Sequence, residues 1–580
     1  MSIGFKSSER FKTSAESSVD STFRLAIVGC GPRGMYCLER LTHAIEQQKL
    51  SGPVQIDIYE PAAYPGAGMV YDPRQPEHLR MNFTSRQIDT RHPDQRNHPV
   101  SSHNVISMSF LEWAKRNRPQ WSEPEGYAPR AVVGEYLHDC FQQVLKRLRP
   151  LATVNLYPTK VVDIEHADNR WILSTAEDDT AYDEVVLAVG HEGWRSAESY
   201  RIGDVIADIP CVFPTETRLS ADAVPADSVV AVRGFGLTWI DAALSLTEGR
   251  GGKFTEIDGR WSYQRSGREP KAIVPFSRSG RPMLPKSADI HQPQLAPIWN
   301  RYTKQLRILA STAKLTRTSE DENEKPNFRS DAWPIIINAA TDALHKLRPE
   351  VERFNVRQWF RDWSRWRVVD KEVIAQLRHS YDVATGRKPV DEAWALGLAW
   401  RQLYPALVEL VSQGGLAAES VDGFQRIATE MERIAFGPPA ENIGRILAIY
   451  DAGLIDLRFL ADGTPNRDAD GCKTLQCGHR AIEVDRIIDA TIPGPHQNEQ
   501  GGILDRLSSD AFVHHNNTGL CVNDSGRLVQ RNRKALLGIA VFGRVTEGSV
   551  LGNDTLSRTL HTHLDRWTES LVRSRSRTAA

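Results

Sequence analysis

The sequence predicts an α/β protein of two doubly wound, parallel-sheet units, the second inserted into the first, plus a helical insert. Three observations predict it. "FRLAIVGCGPRGMYCLERL" and "SVVAVRGFGLTWIDAALSL" each read as a buried-type strand, a glycine turn and an apolar-periodic helix. Between about 290 and 445 the pattern is helical and rich in Trp, Arg and Leu. Near the C-terminus, "ALLGIAVFGRVTEGSVLGNDTLSRTLHTHLDRW" reads as strand, loop and helix, suited to completing the first unit.

Taken in order, "MSIGFKSSERFKTSAESSVDST" (1–22) lacks the apolar segment of a secretory signal and reads as a flexible leader. "FRLAIV" (23–28) is a strand, "MYCLERLTHAI" its helix, and "VQIDIYEP" (54–61) a second strand that Glu60 closes. Residues 62–105, rich in Pro, Gly, Arg, His and Asn, read as a long functional loop. Helices are expected at 107–117 and 131–148, then three strands, the last an apolar run ending at Gly190. The second unit starts at about Asp227, and "KAIVPFSRSG" (271–280) is its second strand. "GLIDLRF" and "HRAIEVDRIIDATIPGP" return to strands. The expected organisation is a first unit of 23–225 and 492–570, a second of 226–299 and 441–491, a helical insert of 300–440, and a flexible tail of 571–580.

The glycine turns carry the chemistry. Gly29, Gly31 and Gly34 stand at the spacing that permits a tight turn, lets a pyrophosphate approach the backbone, and brings helix against strand. The helix N-terminus, opened by Pro32 and Arg33, offers N–H groups and a positive dipole end to a diphosphate. Glu60 can accept hydrogen bonds from both ribose hydroxyls but would repel a 2′-phosphate, so this Rossmann-like site suits FAD or NAD, not NADP. In the second unit Gly234 and Gly236 precede Leu237 and Thr238, while Asp241 and Ala242 are read in place of a third glycine. That departure implies a helix set farther from its strand and a looser hold on the ligand. The second strand here ends in Ser277-Arg278-Ser279 with no acid, and an arginine flanked by hydroxyls suits a 2′-phosphate. One FAD site and one NADPH site explain the duplication, with NADPH favoured over NADH.

Composition narrows the remaining classes. The chain has 580 residues, a formal net charge of −1, 40% hydrophobic and 25% charged residues, so it can bury a large core and carries no single-sign field toward nucleic acid or an anionic membrane. No apolar run approaches the ~18 residues of a membrane span. Seven cysteines without a CxxC suit free thiols in a reducing cytoplasm, and Cys472 and Cys477 near His479 lack a second ligand pair, so no metal is expected. The Trp-Arg repeat "VRQWFRDWSRWRVV" reads as a helical lid or packing face rather than a nucleic-acid stripe.

At these residues the sequence resembles the two-dinucleotide-binding flavoproteins, and within them it is similar to the N-hydroxylating flavin monooxygenases of ornithine, lysine and small amines. "DEVVLAVGH", ending just after Gly190, and "DRIIDATIPGP" resemble the two crossings between nucleotide units. "HLRMNFTSRQIDTRHP" resembles the segment that places a flavin-contacting amide after a Met, here Met81-Asn82. "YAPRAVVGEYL" matches a helix entry, and "VTEGSVLGNDTLSRTL" resembles the loop and helix that cap the flavin ring. "YEPAAYPGAGMVYDP" and "ERIAFGPPAENIGRIL" look closer still to a large group of FAD/NAD(P)-binding proteins, whose members include monooxygenases that oxidise the amine of aspartate to nitrosuccinate. The resemblance covers roughly 23–290 and 430–570.

The resemblance implies an NADPH- and O2-dependent monooxygenase that oxidises the amine of a small amino acid through a C4a-hydroperoxyflavin. Its small-molecule partners are then an amine substrate and O2, with neither nucleic acid nor membrane involved. Asn82 is the candidate for a flavin-side hydrogen bond, a loop-capping amide being the other reading. Asn553, Asp554 and Thr555 are expected to open the last helix and meet the flavin pyrimidine. Arg86 and Arg91 are candidates for a substrate carboxylate, while His78, His92, His98 and His103 read as solvated. Two alternatives stand: an FAD-dependent NAD(P)H oxidoreductase or oxidase without oxygen insertion, and a non-catalytic flavoprotein scaffold. The oligomeric state is left open, a homo-oligomer included.

Overall fold

The computed structural model describes residues 22–50, 52–96, 105–190, 201–202, 205–286, 292–317, 324–368, 370–492, 502–509 and 519–578. All but the last residue of the expected leader therefore lies outside the described residues, as do His98 and His103.

Four strands from the first third of the chain begin one sheet: β1 (Phe23–Val28), β2 (Val54–Tyr59), β3 (Thr153–Tyr157) and β4 (Glu184–Leu187). Three others make a second sheet: β5 (Val229–Arg233), β6 (Ala272–Phe276) and β7 (Arg486–Asp489), all parallel, with β5 central. The chain then returns to the first sheet with β8 (Arg527–Val529) and β9 (Ala535–Val541), giving the six-stranded order β8-β9-β4-β1-β2-β3. In it β9 runs parallel to β4, pairing Val541 with Leu187. The second sheet is thus inserted between strands of the first. The fully apolar "VVAV" and "IAV" runs fit this placement, because strands covered on both faces lose the polar half of the alternation.

Helix α1 (Pro32–Glu46) follows β1 and packs between α2 (Arg130–Leu148) and the C-terminal segment. Helix α3 (Leu237–Ser245) follows β5. The insert comprises α4 (Ala296–Thr316), α5 (Trp333–Leu347), α6 (Val356–Arg365), α7 (Asp370–Ala384), α8 (Glu392–Val411) and α9 (Ala418–Ala435). Its core is a continuous apolar cluster around Trp400, Trp333, Phe328 and Met431. The Trp-Arg repeat lies on α6, where Phe360 packs on Trp333, Trp359 stacks on Trp363 at 5.7 Å, and the Trp363 indole donates to Glu430 at 2.9 Å. The tryptophans therefore serve packing and the arginines between them stay outward. Helix α7 instead shares the core of the second sheet through Val373, Ile374 and Leu377, alongside α10 (Ala440–Asp451). Helix α11 (His563–Thr578) closes the chain.

Several local expectations are corrected. Residues 153–187 hold five strands rather than three, because Asp163–Ala167, Arg170–Ser174 and Asp179–Tyr182 form a separate antiparallel sheet between β3 and β4. A hairpin, Lys253–Ile257 with Arg260–Gln264, separates α3 from β6. "GLIDLRF" makes only an isolated bridge from Ile455 to Ile273. The last helix starts at His563, so Asn553, Asp554 and Thr555 lie in the preceding loop. It also continues through Thr578 with Leu571 buried, where a flexible tail from 571 was expected, because its apolar side covers α1.

Candidate functional site

The first glycine turn has the geometry that a diphosphate site needs. Gly29 takes φ +83°, and a Cβ there would lie 2.6 Å from the Ala188 carbonyl oxygen at the end of β4. A Cβ on Gly34 would lie 2.4 Å from the Gly29 carbonyl, so only glycine lets α1 sit this close to β1. Gly31 faces Gly68, with its ideal Cβ 3.7 Å from the Gly68 Cα, so two backbones form the lip of the turn without side chains. Helix α1 begins at Pro32 with neither a side-chain cap nor an acid in its first turn, which leaves its N-terminal dipole end to a ligand. Glu60 is buried and accepts from the N–H of Cys30 at 2.7 Å and of Ala62 at 2.8 Å. Burial raises its pKa, and those two N–H groups oppose the rise. Gly190, also at positive φ, follows β4 with open space around its Cα.

The C-terminal loop is pinned onto this turn. Arg33 is buried and donates to the carbonyls of Asn553 at 3.3 Å and Thr555 at 2.8 Å, while the Tyr36 hydroxyl donates to the Leu556 carbonyl at 3.0 Å. Asn553 is buried and donates to Thr546 at 3.3 Å; Asp554 is open. Turn and loop, 520 residues apart in the chain, thus meet. His561 and His563 stack nearby at 4.8 Å, and burial, with Arg33 contributing, lowers both, His561 to about 4. Glycine turn, buried acid and pinned loop together fit an FAD molecule.

The second turn repeats the first in part. Gly234 takes φ +111°, and its Cβ would lie 2.9 Å from the Ala490 carbonyl at the end of β7, the counterpart of Gly29 against Ala188. Gly236 caps α3, which again has no side-chain cap and no acid in its first turn, and Leu237 and Thr238 form that turn. The third-glycine reading needs correction. By spacing, the counterpart of Gly34 is Trp239, which is buried against Phe235 at 4.7 Å. Asp241 plays a different part. Buried on α3, it takes a 2.6 Å ion pair from Arg130 at the start of α2 and so joins the two units. Burial raises Asp241 and Arg130 opposes the rise. Beyond β6, Ser277 accepts from the Gly280 N–H at 3.0 Å, and Arg278 is exposed.

Elements of both units and of the insert converge beside Met81 and Asn82. Met81 is buried, donating its N–H to the Ala128 carbonyl at 2.9 Å. The buried Lys286, from the second unit, donates to the Asn82 carbonyl at 3.0 Å and lies over the Phe83 ring at 4.6 Å. The Asn82 amide reaches the Phe436 carbonyl at 3.5 Å. Phe436 ends α9 and meets Tyr404 of α8 at 5.2 Å, and Tyr404 abuts Gly552 of the C-terminal loop. Glu432, one turn back on α9, is exposed, yet burial in the surrounding protein raises it to about 7. Asp554 and Glu547 add to that rise; Arg544 and Arg433 oppose it. A side chain open on its own surface but ringed by protein lines a cleft, not the outer surface.

The remaining candidates are placed elsewhere. Arg86 is exposed and ion-paired to Glu125 at 2.6 Å; Arg91 holds Asp89 at 2.8 Å and Glu112 at 3.4 Å. A substrate carboxylate would have to displace those acids. His78 and His92 are not solvated: His78 bonds the Ser245 hydroxyl at 2.9 Å and is lowered to about 4 by burial and by Arg445, Arg80 and Arg130, and His92 holds Asp565 at 3.1 Å. Lys286, Tyr404 and Glu432 were missed by sequence reasoning, although Glu432 opens the quoted "ERIAFGPPAENIGRIL".

Comparison with known proteins agrees with this arrangement. Residues 26–192, which hold the first glycine turn, Glu60 and the Met81-Asn82 loop, match the family model described as FAD-NAD(P)-binding. A nitrosuccinic acid synthase of Aspergillus oryzae is 24% identical over 86% of this chain and 81% of its own length. A nitrosuccinate-forming L-aspartate N-monooxygenase of Streptomyces davaonensis is 27% identical over 56% of this chain and 52% of its own. A solved ornithine N-hydroxylase of Kutzneria sp. 744 is 14% identical, with 97% of this chain and 100% of that one covered at a TM-score of 0.44. The chain is thus similar to a nitrosuccinic acid synthase over most of its length, and its segment 26–192 matches the FAD-NAD(P)-binding model.

Proposed function

We propose that the protein is an FAD-dependent, NADPH- and O2-consuming monooxygenase that oxidises the amine nitrogen of a small amino acid, with aspartate the first substrate to test. The observation that carries this reading is the similarity to a nitrosuccinic acid synthase across 86% of the chain. Bound and reduced FAD supplies the oxygen-transfer chemistry by reacting with O2. The chain's own residues bind, orient and exclude water. The α1 N-terminus, Glu60 and the 553–556 loop hold and orient the flavin; Asn82, anchored by Lys286, presents an amide toward it. Gly236 with the α3 N-terminus receives the nicotinamide cofactor's diphosphate, and Arg278 its 2′-phosphate. Tyr404 and Phe436 from the insert cover the cleft and restrict water, which would otherwise divert the oxidant to hydrogen peroxide.

The test is NADPH consumption by the FAD-loaded protein against a panel of free amino acids and polyamines, with product mass recorded. Oxygen gained on nitrogen, from aspartate first, is the expected result. NADPH consumption that gives only peroxide with every amine identifies a reductase or oxidase instead. Among the described residues no helix is long and apolar enough to cross a membrane. The free cysteines suit a reducing compartment, and we place the protein in the cytoplasm.

A further inference from the structure

The geometry points to Glu432, on the helical insert, as the group that takes the proton from the substrate's ammonium before the nitrogen is oxidised. The inference rests on the amine-oxidising reading above and names a residue for a step that reading requires. An amino acid near neutral pH carries its nitrogen as R–NH3+, which has no lone pair to accept an oxygen atom. One proton must move: R–NH3+ and the Glu432 carboxylate become R–NH2 and Glu432–COOH, and the proton then passes to solvent. Nothing is oxidised or reduced in this transfer; the oxygen atom would come afterwards from O2, by the chemistry that bound, reduced FAD would supply.

Three placements support Glu432. It projects from the last turn of α9, four residues before Phe436, whose carbonyl meets the Asn82 amide, so it stands beside the proposed flavin-facing loop. Across from it lies the 543–556 segment, with Asp554, Glu547 and Arg544, whose backbone Arg33 ties to the first glycine turn. Finally, the carboxyls of Glu432 and Asp554 and the hydroxyl of Tyr404 make no hydrogen bond or ion pair among the described residues, although protein surrounds Glu432 and Tyr404 closely enough to raise both. Polar groups so enclosed ordinarily have partners, and two without them, beside the open Asp554 carboxyl, mark the place of a polar ligand. Two carboxylates suit an ammonium: one holds the charge while the other accepts the proton.

The charged groups facing Glu432 are Asp554, Glu547 and Arg544 from the C-terminal loop and Arg433 on its own helix, with the Tyr404 phenol on α8. Burial and the two acids set it near 7, so below that pH it is protonated and cannot accept. The experiment measures kcat/KM for amino-acid N-oxygenation between about pH 5.5 and 9 on full-length, FAD-loaded wild type, E432Q and E432D, together with flavin content, the rate of flavin reduction by NADPH, and peroxide yield. The wild type is expected to lose activity on the acid side near pH 7. E432Q should lose this limb and roughly 10²-fold in coupled rate, with NADPH electrons diverted to peroxide and with flavin content and reduction rate kept. E432D should keep part of the rate on a displaced limb. A wild-type limb and coupled rate in E432Q overturn the inference. Should E432Q fail to hold FAD, E432D decides: an undisplaced limb at full rate overturns it. A wild type that oxygenates no amine defeats the amine-oxidising reading itself, and the Glu432 inference falls with it.

Discussion

Gly34 shows how much one missing Cβ decides. The nearest atom to its missing Cβ is the Gly29 carbonyl oxygen, backbone that cannot give way as a flexible side chain would. G34A should push α1 from β1, destabilise the protein by ~1–3 kcal/mol and empty the flavin site; flavin absorbance per chain and the unfolding midpoint check this. Arg278 is proposed to set a different selectivity. If it receives the 2′-phosphate, R278A should raise KM for NADPH roughly ten- to hundredfold and leave that for NADH unchanged, since one charge-assisted contact is worth ~1.5–3 kcal/mol. Equal loss with both cofactors would place Arg278 outside the site. Arg91 illustrates the opposite case, a motif residue held by its neighbour. Asp89 stands two residues away and captures the guanidinium locally, as Asp72 does Arg74 and Asp456 does Arg458.

At the scale of elements, the site depends on how α1 is held by segments from the far end of the chain. Glu39, fully buried on α1, pairs with Arg40 at 2.6 Å and with Arg558 at 3.0 Å. Burial alone would raise Glu39, but Arg558 and Arg40 outweigh it and hold it at about 2. Its folded pKa therefore lies below the unfolded value. The stability it contributes, on the order of 3 kcal/mol, is complete above pH ~4.5 and is lost as pH falls toward about 2. Unfolding free energies measured from pH 5 to 2.5 should fall more steeply in the wild type than in E39Q; parallel curves would show that Glu39 is not the linked group. A second buried carboxylate does similar work on β4: Glu184 accepts from Arg527 at 2.5 Å and from the Trp567 indole at 2.7 Å, binding β8 and α11 to the first sheet.

For the whole molecule, the cleft is where three segments of the chain meet, joined across it by the Lys286–Asn82 and Asn82–Phe436 hydrogen bonds. The first unit supplies Asn82 and the 543–556 loop, the second Lys286, and the insert Tyr404, Glu432 and Phe436. A cofactor bound by the folded state only should stabilise it by ~2.7–4.1 kcal/mol at 100 to 1,000 times its Kd. Removing FAD should accordingly lower the unfolding midpoint by several degrees, restored by added FAD in a concentration-dependent way. A midpoint indifferent to FAD would count against the turn as its site. The Arg130–Asp241 pair, a buried direct bond between α2 and α3, couples the two nucleotide units in the same assembly.

Sequence alone determined the features that short-range sterics and dipoles decide. A strand, a glycine turn and a helix are legible because positive φ and backbone approach exclude other residues at Gly29 and Gly34, and Glu60 is legible because it closes the next strand. Strands β4, β5 and β9 were legible from their apolar runs. Tertiary structure alone decided which distant side chains share a space. Asp241 read as a failed glycine until α3 met Arg130 across the unit boundary. Glu432, Tyr404 and Asp554 carry no common spacing; they meet because α8, α9 and the C-terminal loop bury apolar faces around one cleft. Packing is non-directional and long-range in sequence, so its result is written in no local pattern.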